Sequence, residues 1–137
     1  MTKADAIMDE CKKRAKAAFP EYFKNPSDLL ITNGGSVTKA FRGSGGLVSS
    51  ILAAIVIHAH NKGYKYVSSC FVDPRGMFQM LKHGGKLLAE VFYDEPGYPF
   101  TLSEEELLKM DHITRMFPNG RPCVQFILTE LETSEAL

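Results

Sequence analysis

Arg42-Gly43-Ser44-Gly45-Gly46 is the stretch of this sequence whose residue types are best suited to chemistry. Val37 to Phe41 before it reads as a short strand, and the apolar run from Leu47 after it reads as a helix. A loop in that position offers free backbone N–H groups and the positive end of a helix macrodipole, which together make an anion site. Glycines let the backbone approach a phosphate closely, and Arg42 adds a fixed positive charge. The plainer reading is a loop that needs positive φ at two or three positions. Two nucleotide-binding patterns are excluded. No Gly-Lys-Ser/Thr follows at P-loop spacing, and Gly43, Gly45 and Gly46 do not fit G-x-G-x-x-G.

The other polar candidates are scattered. His58 and His60 stand two apart on a helix, so they point in different directions and make poor co-ligands. Asp111-His112 falls in a long connection, where such a pair arises readily by chance. Cys11, Cys70 and Cys123 are odd in number and widely spaced, and read as reduced thiols of a cytosolic-type compartment rather than a disulfide framework. No Cys-x-x-Cys or His-x-x-x-His pattern supports a metal.

The elements that must position the loop follow from periodicity and punctuation. A helix is expected from about Lys3 to Phe19, with Ile7, Met8, Cys11, Ala15 and Ala18 on one face and Lys12, Lys13, Arg14 and Lys16 largely on the other. Pro20 and Asn25-Pro26 close this N-terminal segment, residues 1–26. A strand at Leu29–Thr32 leads to the Asn33-Gly34-Gly35 turn signal. The helix from Gly46 to Asn61 is apolar on most of its circumference, so cover on more than one side is expected; Lys62-Gly63 ends it. Tyr64–Val72 is strand-like, and Asp73-Pro74 caps a short helix running to Lys82. Lys86–Tyr93 is a strand with Leu87, Ala89 and Val91 on one face. A long connection (94–120) holds a small helix marked by the Ser103…Glu106 capping box. The last strand, Pro122–Leu131, sets Val124, Phe126 and Leu128 against Gln125, Ile127 and Thr129. Alternation of this kind implies an α/β domain with some parallel pairing and helices packed on the sheet.

Composition bounds the rest. A chain of 137 residues with 45% hydrophobic residues is one domain with a core of its own. Sixteen basic and sixteen acidic residues cancel, which argues against nonspecific nucleic-acid binding. Low net charge leaves little repulsion between copies, so self-association or a protein partner is expected. The N-terminus is charged with no apolar run behind it, so a cytoplasmic protein without a signal peptide is expected. The most apolar run, Leu47–Ile57, is 11 residues long and contains Ser49 and Ser50, against the roughly 20 apolar residues of a membrane span.

The order of motifs carries a family resemblance. Phe41-Arg42-Gly43-Ser44-Gly45 resembles the aromatic-Arg-Gly-x-Gly loop of the GNAT (N-acetyltransferase) superfamily at the start of its long central helix. Lys62-Gly63-Tyr64 resembles the entry to the next strand, Val72-Asp73-Pro74-Arg75 that strand's end, and Met80-Leu81-Lys82-His83-Gly84-Gly85 the short helix after it. The match covers roughly residues 36 to 93. It implies an α/β (α+β) fold: a mixed sheet with a central parallel part, flanking helices and a C-terminal antiparallel hairpin. It also implies acetyl-CoA as cofactor and a small amine as acceptor. The backbone of Val37, Thr38 and Lys39 would meet the pantetheine arm, while Arg42, Gly43, Ser44, Gly45 and Gly46 would hold the pyrophosphate. Cys70, at a strand end, would then lie near the cofactor thiol, although a buried free cysteine usually serves packing.

The sequence also departs from that pattern. Leu47 stands where the family's loop has a second small residue, and Met80 stands where its general-acid tyrosine is usual. Only about 40 residues precede the loop, roughly half of what the family generally has there. Two functions are therefore expected in parallel: an acyl-CoA-dependent N-acetyltransferase of shortened type, or a GNAT-like domain without catalysis serving as a structural or interaction subunit, as in a phage virion. No catalytic residue is assigned.

Overall fold

The computed structural model describes residues 2–32 and 47–131, except for the side chains of residues 47–53. The expected strand at 37–41, the Asn33-Gly34-Gly35 turn and the Arg42–Gly46 loop lie outside the described residues.

The first helix, α1, spans Lys3–Ala18 and starts with a capping box between Thr2 and Asp5. Ile7, Cys11 and Ala15 fall at i, i+4, i+8 and are all fully buried, so α1 presents one narrow apolar stripe to the sheet. Met8 is half-buried beside them, and Ala18 faces solvent. Pro20–Tyr22 then form a 3-10 turn that returns Tyr22 to the core.

Strand β1 (Leu29–Thr32) pairs in parallel with β2 (Tyr66–Phe71), in register from Leu29–Tyr66 to Thr32–Ser69. Helix α2 (Leu47–Asn61) connects them. Its end is held by Gly63, whose φ of +86° suits only glycine well, and by Tyr64 N–H donating to the Ala59 carbonyl at 3.1 Å. Lys65 and Tyr66 N–H both donate to the Asp28 carbonyl, at 2.8 and 2.9 Å, which aligns β2 with β1. The expected cover of α2 on more than one side is not seen for its described side chains. Ala59 is buried but Ile57 is 61% exposed, because β2 is the element packed on this half of the helix.

Asp73 caps helix α3 (Pro74–Lys82) by accepting from Arg75 N–H at 2.8 Å. Strand β3 (Lys86–Phe92) follows, then helix α4 (Glu104–Lys109) with its Ser103–Glu106 capping box, helix α5 (Asp111–Thr114), a 3-10 turn at Pro118–Gly120, and strand β4 (Cys123–Glu130).

The sheet order is β1-β2-β4-β3, with β4 antiparallel to both neighbours. The expected C-terminal hairpin is present as the β3–β4 pair, and its second strand also inserts beside β2. That central place explains why every β4 residue from Cys123 to Leu128 is buried. Val124, Phe126 and Leu128 face α1, while Cys123 and Ile127 face Met77 and Met80 of α3 with Phe117.

Strand β3 departs from simple alternation. Leu87 pairs with Ile127 and Ala89 with the next residue along, Phe126, so Leu88 is an extra residue in a β-bulge. The bulge puts Leu88 and Val91 in the α1-side core and leaves Leu87 38% exposed, which corrects the expected Leu87–Ala89–Val91 face.

Candidate functional site

The carboxyl ends of β1 and β2 point the same way, because the two strands are parallel. Residues 33–46 leave from the end of β1 and re-enter at the first residue of α2. The Gly-rich segment is thus anchored at the carboxyl end of a parallel strand and at the amino end of a helix. In open α/β sheets this is where ligands bind, and the unpaired N–H groups of a helix start favour an anion there. The side chains expected to hold pyrophosphate, Arg42, Ser44 and the glycines, and the backbone expected to meet pantetheine, Val37, Thr38 and Lys39, lie outside the described residues.

What the described residues supply is the frame. At the last rung of the β1–β2 ladder, Ser69 Oγ donates to the Thr32 carbonyl at 2.8 Å, and Thr32 Oγ1 donates to the Ser68 carbonyl at 3.5 Å. Beyond this rung β2 continues through Cys70 and Phe71, which have no ladder partner on the β1 side among the described residues. Ser69 was not singled out in the sequence, where Ser68-Ser69 looks like ordinary strand filler; the only signal was a pair of hydroxyls in an otherwise apolar strand.

The same end of the sheet is pinned at β3. Arg121 forms a two-pronged ion pair with Asp94, at 2.6 and 3.1 Å, and lies 3.8 Å above the Phe92 ring. That hydrogen bond holds the Asp94 carboxyl below its usual range. Glu95 accepts from the two terminal guanidinium nitrogens of Arg14 at 2.9 and 3.2 Å and from the Phe92 N–H at 2.8 Å. Burial works to raise the Glu95 pKa, but the bonds from Arg14 and Phe92 outweigh it and the net shift is downward.

Between these ends lies a polar group under α3. Gln125 is 1% exposed, and its Nε2 donates to Glu90 Oε2 at 2.7 Å. Among the described residues its Oε1 has no partner, and neither does the buried Ser68 Oγ. Cys123 reaches the same carboxylate at 3.8 Å; burial first, then Glu90, pushes its thiol up to about 12. Burial and the neighbouring carboxylate thus favour the protonated thiol.

Met80 is 6% exposed and packs with Met77, Phe117, Cys123 and Ile127 in the core. The position where the resemblance expects a general-acid tyrosine is therefore a packing position. Asp111 and His112 are both exposed on α5. His58 lines an open cleft of about 370 Å³ with Ser27, Leu30, Lys62 and Tyr64. That cleft lies at the start of β1 and the end of α2, the opposite end of this unit from Thr32 and Leu47. His60 is half-buried and is not among the residues lining it. Among the described residues no cluster of three or more His, Cys, Asp or Glu residues is arranged to hold a metal, and no helix is long and apolar enough to cross a membrane.

A mixed sheet in the order β1-β2-β4-β3, with a helix crossover between its parallel strands, is the fold of the GNAT N-acetyltransferases. Solved structures show the likeness directly. A protein from the mosquito Aedes aegypti named arylalkylamine N-acetyltransferase 7 matches with a TM-score of 0.65 and 19% identity, over 95% of this chain and 48% of its own. The Drosophila melanogaster polyamine N-acetyltransferase matches with a TM-score of 0.54 and 13% identity, over 96% of this chain and 66% of its own. Arylalkylamine N-acetyltransferase 2 of Aedes aegypti matches with a TM-score of 0.53 and 14% identity, over 74% and 42%. The chain thus spans about half the length of the first of these. No family model and no curated sequence matches it.

Proposed function

We propose that this domain binds an acyl-CoA and transfers its acyl group to a small amine. The observation that carries this reading is that β1, parallel to β2, ends at Thr32 and α2 begins at Leu47, so the Gly-rich stretch joins the carboxyl end of one to the amino end of the other along the chain. The flanking residues suit such a cofactor, since the β2 edge at Cys70 and Phe71 is unpaired on the β1 side among the described residues and matches an extended, amide-bearing arm. Arg42 and the N–H groups of Gly43 to Gly46 would hold the pyrophosphate, and the backbone of Val37 to Lys39 the pantetheine. The cofactor supplies an activated thioester. The protein's share is to fix that group, exclude water and present the amine to it in its deprotonated form.

A second reading has an observation of its own. Met80 is sealed in the core where an acid is expected, which favours a domain of this fold serving as a non-catalytic subunit of a larger assembly.

Titration calorimetry with acetyl-CoA and with CoA separates the two. Micromolar binding that disappears in Arg42→Ala combined with Gly45→Val supports the acyl-CoA reading. Absence of binding at millimolar cofactor refutes it and leaves the subunit reading.

A further inference from the structure

Strand β3 has two ways to lie on β4, one residue apart. In the observed register Leu87 faces Ile127, Leu88 is the extra residue, and Ala89, Glu90, Val91 and Phe92 face Phe126, Gln125, Val124 and Cys123. Without the bulge, every residue after Leu87 would stand one place further along β4. Leu88 would then face Phe126, Ala89 would face Gln125, Glu90 would face Val124 and Val91 would face Cys123. Alternation along β3 favours this plain register, which keeps Leu87, Ala89 and Val91 on one face and leaves no residue out of the ladder.

Glu90 decides against it. The place opposite Val124 is held by Val91, and both are fully buried among apolar side chains of α1 and β4. The plain register would put the Glu90 carboxylate there, and an unpaired charge in such a core is costly. In the bulged register Glu90 is half-buried on the other side of the sheet, where it accepts from Gln125 Nε2 at 2.7 Å. Gln125 favours the same choice. It is 1% exposed and its Oε1 has no partner among the described residues, so opposite Ala89 it would lose the Nε2 bond as well.

We propose that the buried Glu90–Gln125 pair is a register lock that holds β3 in its bulged alignment and so fixes where the chain leaves the sheet.

The contacts that depend on the lock lie just beyond β3. Tyr93 N–H donates to the Pro122 carbonyl at 3.1 Å, Asp94 pairs with Arg121 at 2.6 Å, and Glu95 pairs with Arg14 at 2.9 Å. A slip of one residue carries Tyr93, Asp94 and Glu95 about 3.4 Å along and turns each side chain over, so all three contacts are lost together. The Arg121–Asp94 pair is too exposed to fix the register by itself, with side chains 48% and 38% exposed. The lock requires no ligand, so it stands apart from acyl transfer.

The experiment compares the full parent chain with Glu90→Leu, Glu90→Gln and Gln125→Leu by nuclear magnetic resonance. It reads proton contacts between facing β3 and β4 residues and the exchange rate of the Tyr93 amide. The parent is expected to show only the 89–126 and 91–124 contacts. In Glu90→Leu the side chain suits the place opposite Val124, so a second set of resonances with 89–125 and 91–123 contacts is expected. Tyr93 exchange then speeds up more than about tenfold, because local opening sets amide protection. Glu90→Gln keeps a polar partner for Gln125 and is expected to retain the single bulged set. A single bulged set with unchanged Tyr93 exchange in Glu90→Leu would overturn the proposal, and so would a slipped set in the parent. Should Glu90→Leu not fold, Gln125→Leu decides: faster Tyr93 exchange supports the lock and an unchanged rate refutes it.

Discussion

Gly84 and Gly85 join α3 to β3, and the structure assigns them different physical burdens. At Gly85 an added Cβ meets the Met80 carbonyl oxygen at 2.6 Å and Ile127 Cγ2 at 2.7 Å, well inside contact distance. The Gly85 N–H also donates to that same Met80 carbonyl at 2.8 Å. Gly85→Ala must therefore shift backbone on α3 or a core side chain on β4. Overpacking of this kind costs about 1–3 kcal/mol, and weakening the hydrogen bond adds about 1 kcal/mol, for a total of about 2–4 kcal/mol. At Gly84 nothing lies within 4 Å of an added Cβ, but φ is +90°. Gly84→Ala costs about 1–2 kcal/mol in the left-handed region, of which up to about 1 kcal/mol is offset by a less flexible unfolded chain. Urea denaturation of the two variants and the parent, read by circular dichroism, checks the ranking. A Gly84→Ala loss equal to or greater than that of Gly85→Ala refutes the close approach of β3 to α3 and with it the docking of α3 on Ile127.

Removing Ser69 Oγ with Ser69→Ala is expected to cost about 1 kcal/mol, a shift of a few degrees in melting temperature, because one hydrogen bond to Thr32 is lost from the last rung of the parallel ladder. The same variant is expected to weaken acetyl-CoA binding measurably by calorimetry; unchanged stability and affinity would remove Ser69 from the frame of the site. Truncating the fully buried Ile7 to Ala is expected to cost about 2–5 kcal/mol in urea denaturation, since α1 holds its face of the sheet through Ile7, Cys11 and Ala15. Stability is expected to fall on acidification. Glu95 is shifted below 4.5, and Glu106 is shifted to about 2, chiefly by Lys3 and then the Ser103 N–H. A lowered folded-state pKa gives stability that is present above the unfolded value and lost as pH falls through the folded one, so the loss falls below about pH 4.5 and extends to about pH 2. Melting temperatures measured from pH 6 to 2 test this, and Glu95→Gln is expected to flatten the upper part of the slope.

Local signals in the chain carried the elements and their order. Asp73-Pro74 and Ser103…Glu106 start the helices they were expected to start, because a cap is written within four residues and needs no distant partner. The stripe of Ile7, Cys11 and Ala15 was legible for the same reason, as helical period alone decides which side chains share a face. The resemblance to the N-acetyltransferase fold rested on that order, and the sheet topology agrees with it. The site residues expected at 37–46 lie outside the described residues, and glycines and one arginine report backbone freedom and charge but not what surrounds them.

Tertiary structure alone decided the remainder, and in each instance through contacts between residues far apart in the chain. Insertion of β4 between β2 and β3 cannot be read from its alternating pattern, which is the same for an edge or a central strand. The bulge at Leu88 follows from the register of β3 on β4, so it reverses Leu87 without any mark in the residues around it. Ser69 meets the Thr32 carbonyl, and Cys70 meets the Met8 carbonyl, because packing α1 and β1 against β2 brings those atoms within hydrogen-bonding distance. Short-range sequence determines what an element is and which side of it is apolar. Which element it lies against is set by burial of those apolar faces together, a property of the whole chain.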